Sequence, residues 1–300
     1  MQIDFLAVGN VTRDVAPEGF RLGGTVSFAA VTARRLGWHP GILTRAALDG
    51  LVPPAESIGP AGLQTSGLPG TPLAGIPIHV MPSPVTTTFT NIYRETGRVQ
   101  VIQAIADPVT PEGLPPEWAD TPVVLLGPIA REVPPVWASM FPRALLGIAP
   151  QGLMRRWDAA GHVAPGPWDD AEVFLARADA VILSREDVGG DDARIAWLAG
   201  RARLLVITDG WHGATVYQGG TRIQIPPRPA VEVDPTGAGD VFATAFLVRY
   251  AETADARVAA RFANVVASMS VEAPGLAGIP LRATAEAWLQ GEVAVGKTAP

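Results

Sequence analysis

The sequence predicts an α/β protein: a doubly wound, mostly parallel central sheet with helices on both faces and a small, reduced β lid. Three observations predict it. Apolar runs at residues 123–126, 145–148, 180–183 and 204–208 are short and separated by helical or loop segments, as strands buried on both faces read. A first run at 3–9 ends in glycine, as a strand does when its C-terminal end opens on a ligand crevice. From Gly237 the chain turns helical, at 239–250, 254–272 and 281–289, divided by Pro274-Gly275 and Pro280. Three hundred residues suit one domain spanning 1–300.

After the first strand, residues 10–14 line the crevice edge. Gly23-Gly24 precedes an alanine-rich stretch, 27–36, that stops at Gly37, so a helix is expected with its N-terminus facing the same crevice. Residues 86–92 and 98–102, rich in Thr and β-branched residues, flank Arg94-Glu95-Thr96-Gly97 and read as a hairpin projecting from the main sheet. The lid is therefore assigned mainly to 86–102. Residues 214–218 and 221–225 enclose Gly219-Gly220, a two-residue hairpin signal. Only the last residues, 295–300, read as a frayed tail.

Composition excludes several classes. Lys and Arg number 23 against 29 Asp and Glu, with no basic run, so no nucleic-acid partner is expected. The absence of cysteine excludes disulfides, thiolate metal sites and cysteine nucleophiles, and it suits a reducing compartment; the cytoplasm is the expected location. The start, Met1-Gln2-Ile3-Asp4, carries no cationic segment, and no apolar run approaches the roughly 18 residues a membrane helix needs. The turn Gly9-Asn10-Val11-Thr12-Arg13-Asp14 lacks the Gly-x-Gly-x-x-Gly of a dinucleotide site, which speaks against an oxidoreductase on this architecture.

The sharpest feature is Val233-Asp234-Pro235-Thr236-Gly237-Ala238-Gly239-Asp240, running directly into an apolar helical stretch. Small residues at a helix start let successive backbone N–H groups converge on one point, which binds phosphate without side-chain charge. A carboxylate among those donors can orient a hydroxyl and accept its proton during phosphoryl transfer. Asp also favours helix starts for dipole reasons alone, so the segment by itself is equally a capped loop.

The segment resembles the C-terminal signature of the ribokinase-like, or phosphofructokinase-B, family of carbohydrate kinases. Gly23-Gly24-Thr25-Val26-Ser27-Phe28-Ala29-Ala30, ending in Arg35-Leu36-Gly37, resembles that family's N-terminal signature. The resemblance implies a kinase acting on a sugar or polyol, with ATP and Mg2+. Gly237, Ala238 and Gly239 would form the anion hole and Asp240 the base, for which an ordinary carboxylate pKa suffices. It also implies that Asp14 and Gly24, with Asn10 at the same edge, bind substrate hydroxyls. Ile207-Thr208-Asp209-Gly210-Trp211-His212-Gly213 resembles the strand end that meets donor phosphates and ribose, with Ser184, Thr208, Gly210, Gly213 and Asn264 as the nucleotide-binding candidates.

Four departures bear on specificity. The family's sugar-contacting Asn is Phe28 here, which either packs against an apolar ring face of the substrate or fills core, the second being the favoured expectation. The magnesium-organising Asn-x-x-Glu appears as Ser184-Arg185-Glu186-Asp187, leaving Glu186 or Asp187 to hold the ion through water; a monovalent cation near Asp234 stays open. The interval 15–22 is shorter than many sugar kinases use for their lid, so the hairpin at 86–102 is expected to cover the site alone, as a monomer or a homodimer. Finally, Ile148-Ala149-Pro150-Gln151-Gly152-Leu153-Met154-Arg155 is similar to a segment of inositol-kinase-like members, making Gln151 and Arg155 substrate candidates and myo-inositol a candidate substrate. A nucleoside kinase, or a non-catalytic sugar or nucleotide sensor on this fold, are the alternatives.

Overall fold

The computed structural model describes residues 2–16, 19–47, 63–65, 67–68, 70–94 and 97–296. In chain order the strands are β1 (Phe5–Val8), β2 (Thr12–Ala16), β3 (Gly19–Gly23), β4 (Pro40–Ala46), β5 (Leu63–Thr65), β6 (Ile78–Pro82), β7 (Thr87–Arg94), β8 (Gly97–Ala104), β9 (Val123–Leu126), β10 (Leu145–Ile148), β11 (Arg155–Trp157), β12 (Val163–Pro165), β13 (Ala180–Ser184), β14 (Leu204–Thr208), β15 (Ala214–Gln218) and β16 (Thr221–Ile225). The helices are α1 (Thr25–Arg35), α2 (Trp137–Met140), α3 (Ala171–Arg177), α4 (Asp192–Ala199), α5 (Ala238–Thr253), α6 (Ala256–Ser270) and α7 (Arg282–Gly296).

Ten of these strands form one sheet, in the order β16-β15-β14-β13-β10-β9-β1-β4-β6-β5. The strands from β14 to β6 run parallel, and β15, β16 and β5 close the two edges antiparallel. Alternation along β1 shows why the central strands are apolar throughout. Phe5 and Ala7 face a core shared with α1, α5 and α6, whereas Leu6 and Val8 face a second core packed by α2, α3 and α4. Each fully buried Leu, Val or Phe contributes about 1.5–3 kcal/mol, so both faces must be covered for the sheet to persist.

The expected strands at 123–126, 145–148, 180–183 and 204–208 are present, the third running one residue further to Ser184. The Gly219-Gly220 hairpin has both glycines at positive φ (56 and 78), as a tight two-residue turn of this kind requires. α1 begins two residues before the expected start, and Gly37 follows it at φ 87. β4, β5 and β6 had no counterpart in the sequence reading. Among the described residues no helix is long and apolar enough to cross a membrane.

The lid requires a correction. β7 and β8 occupy the expected hairpin, but the second sheet has four strands, in the order β3-β2-β7-β8. β2 and β3 pair antiparallel and β2 joins β7 in parallel, so the hairpin does not stand alone. The interval 15–22 is short because it folds as a hairpin of its own. Of the turn expected at Arg94-Glu95-Thr96-Gly97, residues 95–96 lie outside the described residues, as do 297–300 of the expected tail.

Candidate active site

The C-terminal ends of the parallel strands, the N-termini of α1 and α5, and the lid strands bound one crevice. α5 starts from Gly237, which takes the left-handed conformation (φ 79, ψ 2) as the N-cap residue. A Cβ at Gly237 would stand 2.2 Å from the Phe28 ring, so only glycine fits between the loop and α1. Phe28 is 4% exposed and belongs to the core, as expected. Ala238 N donates to Pro235 O at 3.2 Å within this turn, and the remaining first-turn N–H groups of the 16-residue helix, with its dipole, favour an anion at its start.

Asp240 lies in the first turn of that helix. It is half-buried by surface area, yet protein atoms enclose it, and desolvation pushes its carboxyl up from 3.8 to about 6. Opposing that rise are a hydrogen bond from the Thr25 side chain and the charge of Arg155, while the charge of Asp187 adds to it. An ordinary carboxylate pKa was expected here, and enclosure of the loop between α1 and the strand ends is the reason for the difference. Thr25 was not singled out in advance, although it lies inside the N-terminal signature.

The structure brings Gln151, Arg155 and Asp187 together. Gln151 Nε2 donates to Asp187 Oδ1 at 2.8 Å, and Arg155 Nη2 donates to Gln151 Oε1 at 2.8 Å. Asp187 Oδ2 also accepts from Ser184 N, and Ser184 Oγ accepts from Asp187 N, which fixes the turn after β13. Arg155 further donates to Ile129 O and lies 5.7 Å from the centroid of the Phe89 ring on β7, a cation–π contact between body and lid.

On the acceptor side, Asp14 in β2 receives a hydrogen bond from Thr12 Oγ1 at 3.2 Å and is half-buried. Gly24 (φ 89) would bring a Cβ within 2.4 Å of Asn10 O, so its backbone lies flush against the end of β1. Asn10 itself is 0% exposed and has no surface to offer a ligand. Its Oδ1 accepts from Arg45 N, its Nδ2 donates to Thr87 Oγ1, and its backbone N–H donates to Glu132. Asn10 thus ties β1, β4 and β7 together, a correction to its assignment as a substrate ligand. Glu132, unremarked in the sequence, also collects the N–H groups of Ile129 and Ala130. Burial pushes its carboxyl up, against the pull of those backbone donors.

On the donor side, Ser184 and Thr208 are paired neighbours at the ends of β13 and β14. Gly210 (φ 46) and Gly213 (φ 84) shape the turn that follows, and a Cβ at Gly213 would meet Ile225 O at 2.2 Å. The Asn264 amide donates to Pro226 O, pinning the loop after β16 to α6. Asp234 bridges Thr236 N and Gly275 N at 3.0 Å each. Burial works to raise its carboxyl, but those donors and the Arg21 charge outweigh it and hold the group below its usual value.

Among the described residues no group of three or more His, Asp or Glu is arranged to hold a metal. Glu186 is exposed at the rim, and Asp187 retains lone pairs beyond its two hydrogen bonds. Hard oxygen donors in that number fit a magnesium ion held chiefly by water and phosphate oxygens.

An open parallel sheet with helices on both faces, a glycine-lined helix N-terminus beside a carboxylate at its C-terminal edge, and a small sheet over that edge together define the ribokinase fold. Residues 173–282, just over a third of the chain, match the pfkB family carbohydrate kinase profile. The ribokinase of Bacillus subtilis is 46% identical over 79 residues, 26% of this chain and 27% of that protein. The cytidine kinase of Thermococcus kodakarensis is 28% identical, covering 83% of this chain and 88% of its own. The inositol 3-kinase of Zea mays is 34% identical over 132 residues, 42% of this chain and 33% of that protein. For two of these three relatives, then, the match spans about a third of their length or less. Among solved structures, a pyrophosphate-dependent kinase in the ribokinase family, complexed with a pyrophosphate analog and myo-inositol, superposes with a TM-score of 0.73 at 22% identity, over 94% of this chain and 99% of that one. The Arabidopsis thaliana ribokinase complexed with ribose and ATP superposes with a TM-score of 0.69 at 18% identity, over 96% and 99%.

Proposed function

We propose that this chain, as a single domain over 1–300, transfers the γ-phosphoryl group of ATP to a hydroxyl of a small sugar or polyol, with Asp240 as the general base. The observation that carries the reading is the enclosed carboxylate in the first turn of α5, at a helix start that follows the left-handed Gly237. The acceptor lies against Asp14 and the Gly24 backbone, and its hydroxyl points at Asp240. The N–H groups from Gly237 to Gly239 receive the charge that develops on the transferring group, and the hydroxyl proton passes to Asp240 as its oxygen bonds to phosphorus. A carboxyl near 6 is ionised at neutral pH yet basic enough to accept that proton efficiently. Ser184, Thr208 and the Gly210 to Gly213 turn receive the donor. Magnesium, when bound, neutralises charge across the phosphates, with Glu186 and Asp187 holding its water shell.

Pyrophosphate is the second donor to consider, since a structural neighbour uses it. The acceptor reading favours myo-inositol, motivated by the inositol 3-kinase match and by the resemblance of residues 148–155 to inositol-kinase-like members. The test is phosphorylated-product formation from ATP or pyrophosphate, with magnesium, across sugars, myo-inositol and nucleosides, with Asp240→Asn as control. Turnover with ATP and a polyol that disappears in the variant is expected. Turnover with nucleosides alone would replace the acceptor, turnover with pyrophosphate alone would replace the donor, and ligand binding without turnover would leave a sensor.

A further inference from the structure

Gln151 stands between two groups that attract each other. Its amide oxygen accepts from Arg155 Nη2 and its amide nitrogen donates to Asp187 Oδ1, both at 2.8 Å. A carboxamide is neutral and offers an acceptor at one corner and a donor at the other, so it satisfies a guanidinium and a carboxylate at once without cancelling either charge. The remaining anchors of the trio lie on different elements: Arg155 on Ile129 O and the Phe89 ring of the lid, Asp187 on Ser184 N. Taking the amide away would remove one hydrogen-bond partner from a half-buried guanidinium and one from a half-buried carboxylate, each on the same side as the other. Closure into a direct ion pair would then be strongly favoured, because arginine and carboxylate pair in a bidentate geometry.

Building on the kinase reading above, we propose that Gln151 is a positioning residue and not a substrate ligand: it is the spacer that keeps Arg155 from closing onto Asp187, and so holds the guanidinium beside Asp240 and the lid. Each end of its amide is engaged once by protein, Oε1 by Arg155 and Nε2 by Asp187, which fixes the orientation of the amide between the two charges. The spacer explains why a neutral residue occupies the centre of a charged cluster. It also links the lid to the reacting centre, since Arg155 meets Phe89 on one side and the Gln151 amide on the other.

The experiment compares wild type, Gln151→Ala and Gln151→Glu by steady-state kinetics and by crystal structures without ligand. In Gln151→Ala, kcat should fall roughly tenfold or more, in line with the cost of misplacing a catalytic environment by about 1 Å, while the acceptor KM stays within about twofold. Gln151→Glu fills the same volume but replaces the donor to Asp187 with a second carboxylate, so it should not recover the kcat lost in the alanine variant, whereas a role in packing alone would be rescued. In the Gln151→Ala crystal, Arg155 should lie within about 3.5 Å of Asp187. A raised acceptor KM with kcat intact, or an Arg155 that stays on Ile129 O and clear of Asp187, overturns the proposal. Should the alanine variant fail to fold, Gln151→Asn, one methylene too short to reach both partners, is held to the same outcomes. A wild type silent with every donor and acceptor would defeat the kinase reading, and the crystal comparison would still decide the spacer.

Discussion

Replacing Gly237 with alanine would strike the anion hole twice. The residue sits at φ 79, where a Cβ costs about 1–2 kcal/mol from backbone sterics alone. The same Cβ would stand 2.2 Å from both Cδ1 and Cε1 of Phe28 and 2.6 Å from Cγ. Phe28 is 4% exposed and enclosed by the core beneath α1, so the ring cannot swing into solvent. Overpacking of this kind costs typically about 1–3 kcal/mol, and the sum of roughly 2–5 kcal/mol is a large share of the roughly 5–15 kcal/mol that holds a domain folded. The loop would relieve the clash by lifting away from α1, carrying its N–H groups with it, and kcat should fall on the order of 10²-fold. Denaturant unfolding together with turnover measures both effects. Phe28→Leu combined with Gly237→Ala should recover the packing part and leave the backbone part, giving a coupling of about 1–3 kcal/mol between the two sites. Additive single effects, or a Gly237→Ala cost under about 1 kcal/mol, would refute the argument.

Asp240→Asn should lower kcat by about 10² to 10⁴-fold, read by product formation in a variant whose circular dichroism is unchanged. In wild type, kcat/KM should fall as pH drops through about 6, where the enclosed carboxylate takes up its proton. The same shift has a stability consequence: the folded carboxyl at about 6 lies above its ordinary value of 3.8, so the folded state holds the extra proton between them and wild type loses stability as pH rises through that window. Asp240→Asn should therefore be the more stable protein at pH 7.5, by at most about 3 kcal/mol before solvent screening, with the gap closing below about pH 4 in thermal melts. Gly213→Ala, at φ 84 with Ile225 O only 2.2 Å from the new Cβ, should raise the donor KM more than the acceptor KM in two-substrate kinetics. Asn10→Ala should cost roughly 1–3 kcal/mol in denaturant unfolding, since it leaves the Arg45 N–H without its acceptor, while Thr87 Oγ1 still accepts from Ala106 N.

The parallel strands from β9 to β14 were legible because each is buried on both faces, which leaves an unbroken apolar run. β4 was not: Pro40, Gly41, Thr44 and Arg45 interrupt it, and Thr44 is needed inside to accept from Val11 N. β2 and β3 were hidden for another reason. They form a lid hairpin with exposed Gly19, Phe20 and Arg21, so they lack the apolar alternation that marks a half-buried strand. Within the site, backbone features were readable, because glycine spacing reports directly on close approach and left-handed turns. The roles of Asn10, Gln151 and Asn264 were not. An amide commits its two ends only when distant segments meet, and the Asn10 side chain is joined to Thr87 and Arg45 from 77 and 35 residues away.

The signature loop carries two carboxylates six residues apart, and their surroundings drive them in opposite directions. Both are penalised by burial, Asp240 much the more because protein atoms enclose it fully, and their hydrogen-bond donors differ as well. Asp234 receives two backbone N–H groups, from Thr236 and from Gly275, and feels the positive charge of Arg21 on β3, so its charged form wins. Asp240 receives the Thr25 side chain and the attraction of Arg155, but Asp187 opposes them and desolvation prevails. A group whose ionised form is locked by donors is a poor proton acceptor and a good clamp; one held near neutrality by enclosure is the reverse. The loop thereby divides labour by geometry: Asp234 pins the turn to the segment beginning at Gly275, and that anchoring lets Gly237 hold its left-handed turn against Phe28. Asp240 is then presented from the start of α5 with a carboxyl that can change its charge in the pH range where the proposed transfer would run.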